Sequence, residues 1–282
     1  MEQATTARTR AAAASGVLAL VLLLGGCSGN GVNSGDFNVL SVPEEWSLGR
    51  GLADELRKEL QPVRDYSAQA YLDRTGRLLA DTSELAEEVW EFHLLQEPTV
   101  QAFDIPGGHV YLSTGALSST RDASELAAVL AHSIAHGLAR HTTEKLSRAY
   151  GVTVLGDLAM KQKRETYRDI LLQLSAGGSL SGHTLAEERE ADRLAVQLLA
   201  RTGFHPQGLV HWLERLEDLR QRDPGAVRDL VAAHPLSPER IEEVRQQVAA
   251  LPVQGGWVRD EAGYRRTRQR LVGKVGGEPG GG

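Results

Sequence analysis

Between Ser124 and His141 the chain reads SELAAVLAHSIAHGLARH. Small and apolar residues recur through it at helix spacing, so the fold has to bury a helix here and build the rest around it. Two histidines, His132 and His136, stand four residues apart within it. On an α-helix such a pair lies about 40° apart around the axis and one turn along it, so both imidazoles can meet one ion. A buried imidazole needs a partner to offset the loss of water. One core histidine finds such a partner easily; two on one helix face point to a shared metal. The spacing alone is weak, because nine histidines scattered at random give roughly 0.3 such pairs. The apolar setting is what raises it.

A third ligand has to come from another helix. The stretch LAEEREADRLAVQLLART follows a Thr184/Glu187 capping box and is closed by Gly203, a left-handed cap in prospect. It offers Glu188, with Asp192 one turn further on the same face. Two His and one Glu with an open fourth position make a catalytic zinc arrangement. Asp192 would then bond the second ring nitrogen of a ligand histidine and fix its tautomer. A plainer reading makes Glu187, Glu188 and Glu190, with Arg189 and Arg193, a solvated charged face. Both readings stand at this point.

The whole chain sets the context. Its 282 residues are 41% hydrophobic, enough for one sizeable core. A net charge of -6 and 5% aromatics argue against nucleic acid as a partner, since that calls for a basic surface. Near the N-terminus Arg8 and Arg10 precede AAAASGVLALVLLL, which leads into LGGC and ends at Cys27. Such a run is an export signal, too short for a firm membrane span. LGGC resembles a bacterial lipobox, which implies cleavage before Cys27 and lipid attachment to it; an ordinary cysteine after a leader is the alternative. Cys27 is the only cysteine, so no intramolecular disulfide can form. The expected organisation is a lipoprotein signal peptide over 1–26, a flexible tether over 27–41, one folded domain over 42–272 and a disordered tail over 273–282. The chain is expected to be exported and held to a membrane through Cys27, facing the periplasm. Ser28 resembles the residue that directs lipoproteins to the outer membrane.

Along the folded part, Ser41-Val-Pro-Glu44 reads as a capping box. Helices are predicted over EEWSLGRGLADELRKEL and AQAYLDRTGRLLADT, and a strand in VWEFHLLQ. Two extended runs flank the Pro-Gly-Gly turn of TVQAFDIPGGHVYLSTGAL. Asp122 and Glu125 cap the histidine helix, and Ser237-Pro238 opens PERIEEVRQQVAAL. Helices, a small sheet, then helices predict an α+β fold, predominantly helical. Tyr150 to Gly182 carries no motif; a helical lid hinged at SAGGSLSG is the expectation there.

Four separated blocks, HVYLSTGAL, ELAAVLAHSIAHGLARH, EEREADRLAVQLLARTGFHP and AAHPLSPERI, together resemble metallopeptidase family 48. That family groups HtpX, the CAAX prenyl protease and BepA-like periplasmic lipoproteins, and the likeness runs from about Val42 to Leu251. The resemblance implies a zincin-like fold with a small sheet beside the active-site helix. It implies one zinc ion, held by His132, His136 and Glu188. It also implies a sheet edge at Gly108, His109, Val110 and Tyr111 to which a substrate polypeptide adds as a strand. His234, before Pro235, falls near the metal in this comparison; a loop residue flanking a helix is the equal alternative. His141 fits the pattern too, but five residues past His136 it is expected to point elsewhere and be structural.

One position departs. The resemblance implies a glutamate where this chain has Ser133, and that glutamate is the general base that takes a proton from the zinc-bound water. A serine hydroxyl cannot do so at neutral pH. Loss of such a group costs about 10²–10⁴ in rate. Glu125 lies two turns away, about 10 Å along the axis, and Glu187 points about 100° from Glu188. That leaves His234 as the stand-in. A serine nucleophile would lack an acid to orient its histidine. Three functions follow from these residues: a tethered envelope protein of this family, impaired in hydrolysis and binding extended or misfolded polypeptides; an active zinc endopeptidase of envelope quality control; or a metal-free helical scaffold.

Overall fold

The computed structural model describes residues 37–161, 164–175, 182–252 and 255–275. The expected signal peptide, Cys27 and most of the tether lie outside the described residues, as do positions 176–181 of the expected hinge and the end of the tail.

Helix α1 (Val42–Leu56) begins at the expected box, with the Ser41 backbone N–H donating to the Glu44 carboxylate at 2.8 Å. Helix α2 (Tyr66–Ala80) is capped by Asp65, whose carboxylate accepts from the N–H groups of Ser67 and Ala68. Three strands follow: β1 (Glu91–Leu95), β2 (Ala102–Ile105) and β3 (His109–Ser113). β2 and β3 form the expected antiparallel hairpin, Ala102 opposite Leu112 and Ile105 opposite His109. Gly107 and Gly108, at φ 83° and 78°, make the left-handed turn between them. Helix α1 presses on this turn so closely that a Cβ on Gly49 would lie 2.0 Å from the Pro106 carbonyl oxygen.

The strand order is β1-β3-β2, with β1 parallel to β3 and Glu91 opposite His109. This corrects the expected substrate edge. Gly108 belongs to the turn, and His109, Val110 and Tyr111 lie in the central strand, hydrogen-bonded on both sides. The hairpin pattern shows how β2 meets β3 but carries no trace of β1, which arrives in parallel and takes the other side. Every residue of β3 is buried, as a central strand requires. The outer strands are β1 and β2.

One face of the sheet packs on the histidine helix, α4 (Ala123–Leu138), which follows the short α3 (Thr114–Ser119). Asp122 caps α4 by accepting from the Glu125 N–H at 3.0 Å. Nearly the whole of α4 is buried, because it is surrounded by β2, α2, α7 (Leu185–Thr202) and α8 (Gln207–Arg222). The other sheet face, through Ile105 and Tyr111, shares a core with Leu48 and Leu52 of α1 and Leu146 of α5 (His141–Lys161). Helix α5 bends at Gly151, whose φ is 66°, and α6 (Arg164–Leu174) completes that layer. Helices α9 (Pro224–Ala233), α10 (Pro238–Ala249) and α11 (Ala262–Val275) close the domain. The fold is α+β and predominantly helical, with the sheet beside the histidine helix. No helix among the described residues is long and apolar enough to cross a membrane.

Candidate metal centre

His132 and His136 project from α4 toward Glu188, in the first turn of α7. The two Nε2 atoms are 3.1 Å apart. Glu188 Oε2 lies 3.4 Å from His132 Nε2, and Oε1 lies 3.4 Å from His136 Nε2. The corners of a tetrahedron centred on an ion 2.0–2.1 Å away are about 3.3 Å apart, so the three side chains have the dimensions of a zinc site. His136, Glu188 and Asp192 are 0% exposed, which excludes the solvated charged face for Glu188.

His234, at the C-cap of α9, brings Nδ1 to 2.9 Å from Glu188 Oε1. It thus stands with the other three as a fourth donor, all four ligand atoms lying within 4.8 Å of one another. Of the two readings left open for His234, the structure gives the one beside the histidine pair.

The neighbouring layer fixes these groups. Asp192 Oδ1 lies 3.0 Å from His132 Nδ1, on the ring side away from Glu188. Asp192 is held in turn by Arg240, which donates from Nε at 2.6 Å and Nη2 at 2.8 Å, while Nη1 reaches Glu188 Oε2 at 2.5 Å. Arg240 follows the Ser237 cap in the first turn of α10, where the helix dipole disfavours a cation. That mismatch is the one sequence sign that it serves a specific buried partner.

His141 requires a correction. It does not point away: its Nδ1 lies 2.9 Å from His136 Nδ1. The cause is Arg140, whose φ of 55° turns the chain sharply at the end of α4 and whose side chain is held by Glu45 at 2.6 Å. Helix α5 therefore starts with His141 folded back on His136. With His136 Nε2 serving a cation, its Nδ1–H donates to His141, whose Nε2 faces Glu190 at 3.5 Å.

The charge balance fits a cation. Burial opposes charge on His132, yet Asp192 and Glu188 outweigh it and lift its pKa to about 9. Burial by itself would raise the Glu188 carboxyl, but His234, His132 and His136 hold it well below the usual range. Burial keeps His136 well below the ordinary imidazole value, and His234 below it too, in the neutral form a ligand needs. Two buried carboxylates against one guanidinium leave one negative charge, which a proton on His132 balances here and a bound cation would balance in its place. A second trio, His136, His141 and His183, shares a ligand with the first. Lys145 Nζ stands 2.8 Å from His183 Nδ1, so a second cation would meet an ammonium there.

Ser133 is 4% exposed and opens on a small pocket shared with His132, His234 and Ala102 of β2. Among the described residues no carboxylate lines that pocket. A larger cleft of about 350 Å³ runs along the β2 edge, lined by Phe103, Asp104, Leu171, His183 and His234 among others. Asp104 makes no side-chain hydrogen bond or ion pair with another described residue, and burial pushes its pKa up to about 7. No sequence pattern marked Asp104, His183 or Lys145.

Comparison with known proteins agrees with this geometry. A family model described as peptidase family M48 matches residues 67–248. The beta-barrel assembly-enhancing protease of Yersinia pestis is 28% identical over 217 residues, 74% of this chain and 44% of its own length. The protein of the same name from Escherichia coli (strain K12) is 27% identical over 219 residues, 74% of this chain and 45% of its own. The mitochondrial metalloendopeptidase OMA1 of Saccharomyces cerevisiae is 34% identical over 170 residues, covering 58% and 48%. The chain thus spans about half the length of the curated relatives it matches.

Proposed function

From the premise that this chain belongs to peptidase family M48, we propose that it is a zinc-binding protein of the bacterial envelope that holds extended or misfolded polypeptides and hydrolyses them poorly. The observation that carries this reading is the pairing of a complete ligand set with a hydroxyl at the base position. His132, His136 and Glu188 converge at zinc dimensions, while Ser133 stands beside His132 with no carboxylate in its pocket.

A zinc ion held there supplies Lewis acidity, polarising a carbonyl and acidifying water. The protein's own part divides between binding and proton transfer. The free edge of β2 presents backbone N–H and C=O groups to the cleft, the arrangement by which an extended peptide adds as a strand. Asp192 and His141 orient the two imidazoles from their far sides. Arg240 keeps Asp192 charged and holds both Asp192 and Glu188 by ion pairs. His234 stands beside the ligand set, its Nδ1 2.9 Å from Glu188 Oε1, and lines the cleft next to it. The Ser133 hydroxyl cannot itself accept a proton at neutral pH, so turnover lacks a base at this position.

The relatives' names, beta-barrel assembly-enhancing protease and metalloendopeptidase, support a role in envelope protein quality control. They equally favour a second reading, an active endopeptidase, with Asp104 or His234 in the cleft as substitute proton acceptor. Attachment through a lipid on Cys27, facing the periplasm from the outer membrane, rests on the LGGC and Ser28 pattern. The convergent donors speak against the metal-free scaffold.

Metal content and casein cleavage of the purified full chain test the proposal. About one zinc per metal centre, lost in His136→Ala, with cleavage at least about a hundredfold slower than in Ser133→Glu, is expected. No metal dependence on His136 would refute the centre; equal cleavage rates would favour the active endopeptidase. Retention of Cys27→Ala in the membrane fraction would contradict the lipid tether.

A further inference from the structure

The sheet face turned away from the histidine helix carries a second convergence of ligand types. Glu91 and His93 stand two apart on β1, so both project to one face. On the neighbouring β3, His109 lies directly opposite Glu91. Glu91 Oε2 is 3.7 Å from His93 Nε2 and 3.6 Å from His109 Nδ1. These separations are too long for hydrogen bonds. They are close to the spacing of about 3.3 Å between two ligands of one tetrahedral ion.

Both nitrogens are buried and without a hydrogen-bond partner, although each ring has one edge turned to this carboxylate. A buried polar atom left unpaired is destabilising, so two of them facing one point call for a common partner. A proton on either ring would pair it with Glu91. Burial works against that, holding His93 down to about 4 and His109 below its ordinary value. Neutral imidazoles beside a carboxylate are the state in which these groups bind metal. The nearby cation Arg57 is taken up by Asp54 at 2.7 Å. Arg50 opposes a cation more weakly, and Asp73 favours one.

The rings are also held in orientation. His93 stacks on Tyr111 at 4.5 Å between centroids, and Tyr111 stacks on Phe103 at 4.8 Å. The Glu91 side chain is 41% exposed and that of His93 27%, which leaves a path for an ion and for a water as fourth ligand.

We propose that Glu91, His93 and His109 form a second, independent site for a zinc-class divalent cation, pinning β1 to β3 on the face opposite the catalytic-type centre. Two imidazole nitrogens and one carboxylate oxygen suit a borderline cation of this class better than calcium or magnesium, which take oxygen ligands. The site shares no residue with His132, His136, Glu188 and His234, so its occupancy does not depend on theirs.

The test is a zinc titration of the chelator-stripped full chain against a chromophoric competitor. Two ions per chain are expected. His93→Gln and Glu91→Gln should each remove one or weaken it at least about tenfold, His136→Ala should remove the other, and His93→Gln with His136→Ala should bind none. In the unaltered chain, the second equivalent should shift the ring ¹⁵N resonances of His93 and His109, a readout that does not depend on any variant folding. One ion per chain, with those resonances unmoved and His93→Gln still binding one, would overturn the second site. If His136→Ala loses nothing while His93→Gln loses its ion, the second site stands and the M48-type centre fails.

Discussion

Arg240 grips Asp192 with two parallel hydrogen bonds, Nε to Oδ2 at 2.6 Å and Nη2 to Oδ1 at 2.8 Å, in a place where both are about 2% exposed or less. Asp192 Oδ1 lies in turn 3.0 Å from His132 Nδ1. One arginine of α10 thus holds the acid of α7 that lies beside a histidine of α4.

Removing this guanidinium leaves Asp192 and Glu188 as uncompensated buried charges. Arg240→Met is expected to lower stability by about 3–5 kcal/mol. Urea unfolding with chelator present measures this, and zinc should restore part of the loss by supplying the missing positive charge. A loss of under about 1 kcal/mol would show that the pair is weaker than its burial implies.

His141 is expected to act through His136. His141→Phe keeps a ring in place but removes the partner of His136 Nδ1, and should weaken zinc binding about 10–100-fold. Competitive chelator titration reads this, and the cobalt-substituted d–d spectrum should shift with it. His141→Gln, which keeps a hydrogen-bonding group, should recover most of the affinity. Equal affinity in the Phe variant would make His141 a packing residue only.

Burial pushes the Asp104 carboxyl up to about 7 in the folded chain, from an ordinary value of about 3.9. Between those values the native state holds a proton that the unfolded chain has lost, so this group's contribution to stability falls as pH rises from about 4 to 7. Asp104→Asn does not titrate. Relative to the wild type it should gain stability at pH 8, by up to about 4 kcal/mol, and nothing near pH 4. Urea midpoints of metal-free protein at the two pH values check this; a variant no more stable at pH 8 would mean that Asp104 is solvated or paired.

The sequence made the local elements legible and left the partnerships hidden. The boxes at Ser41/Glu44 and Thr184/Glu187, the Gly203 cap and the Pro-Gly-Gly turn act within a few residues, and each stands where its spacing put it. The convergence of His132, His136 and Glu188 could be read because helix periodicity assigns faces and the M48 resemblance supplied the pairing of helices. Strand partners have no such local code. β1 reaches β3 in parallel, so His109 and Tyr111 became central, and neither the second cluster nor the β2 edge could be placed. The direction of His141 is not legible in the sequence because it depends on one left-handed residue, Arg140, held by Glu45 on another helix.

The central claim is that a metal-loaded cleft here lacks its proton acceptor. The direct measurement is the single-turnover cleavage rate of one fluorogenic peptide by wild type and Ser133→Glu, each at matched zinc content. A carboxylate restored beside His132 should speed cleavage at least about a hundredfold. Wild-type cleavage as fast as that of Ser133→Glu, at equal metal loading, would contradict the account.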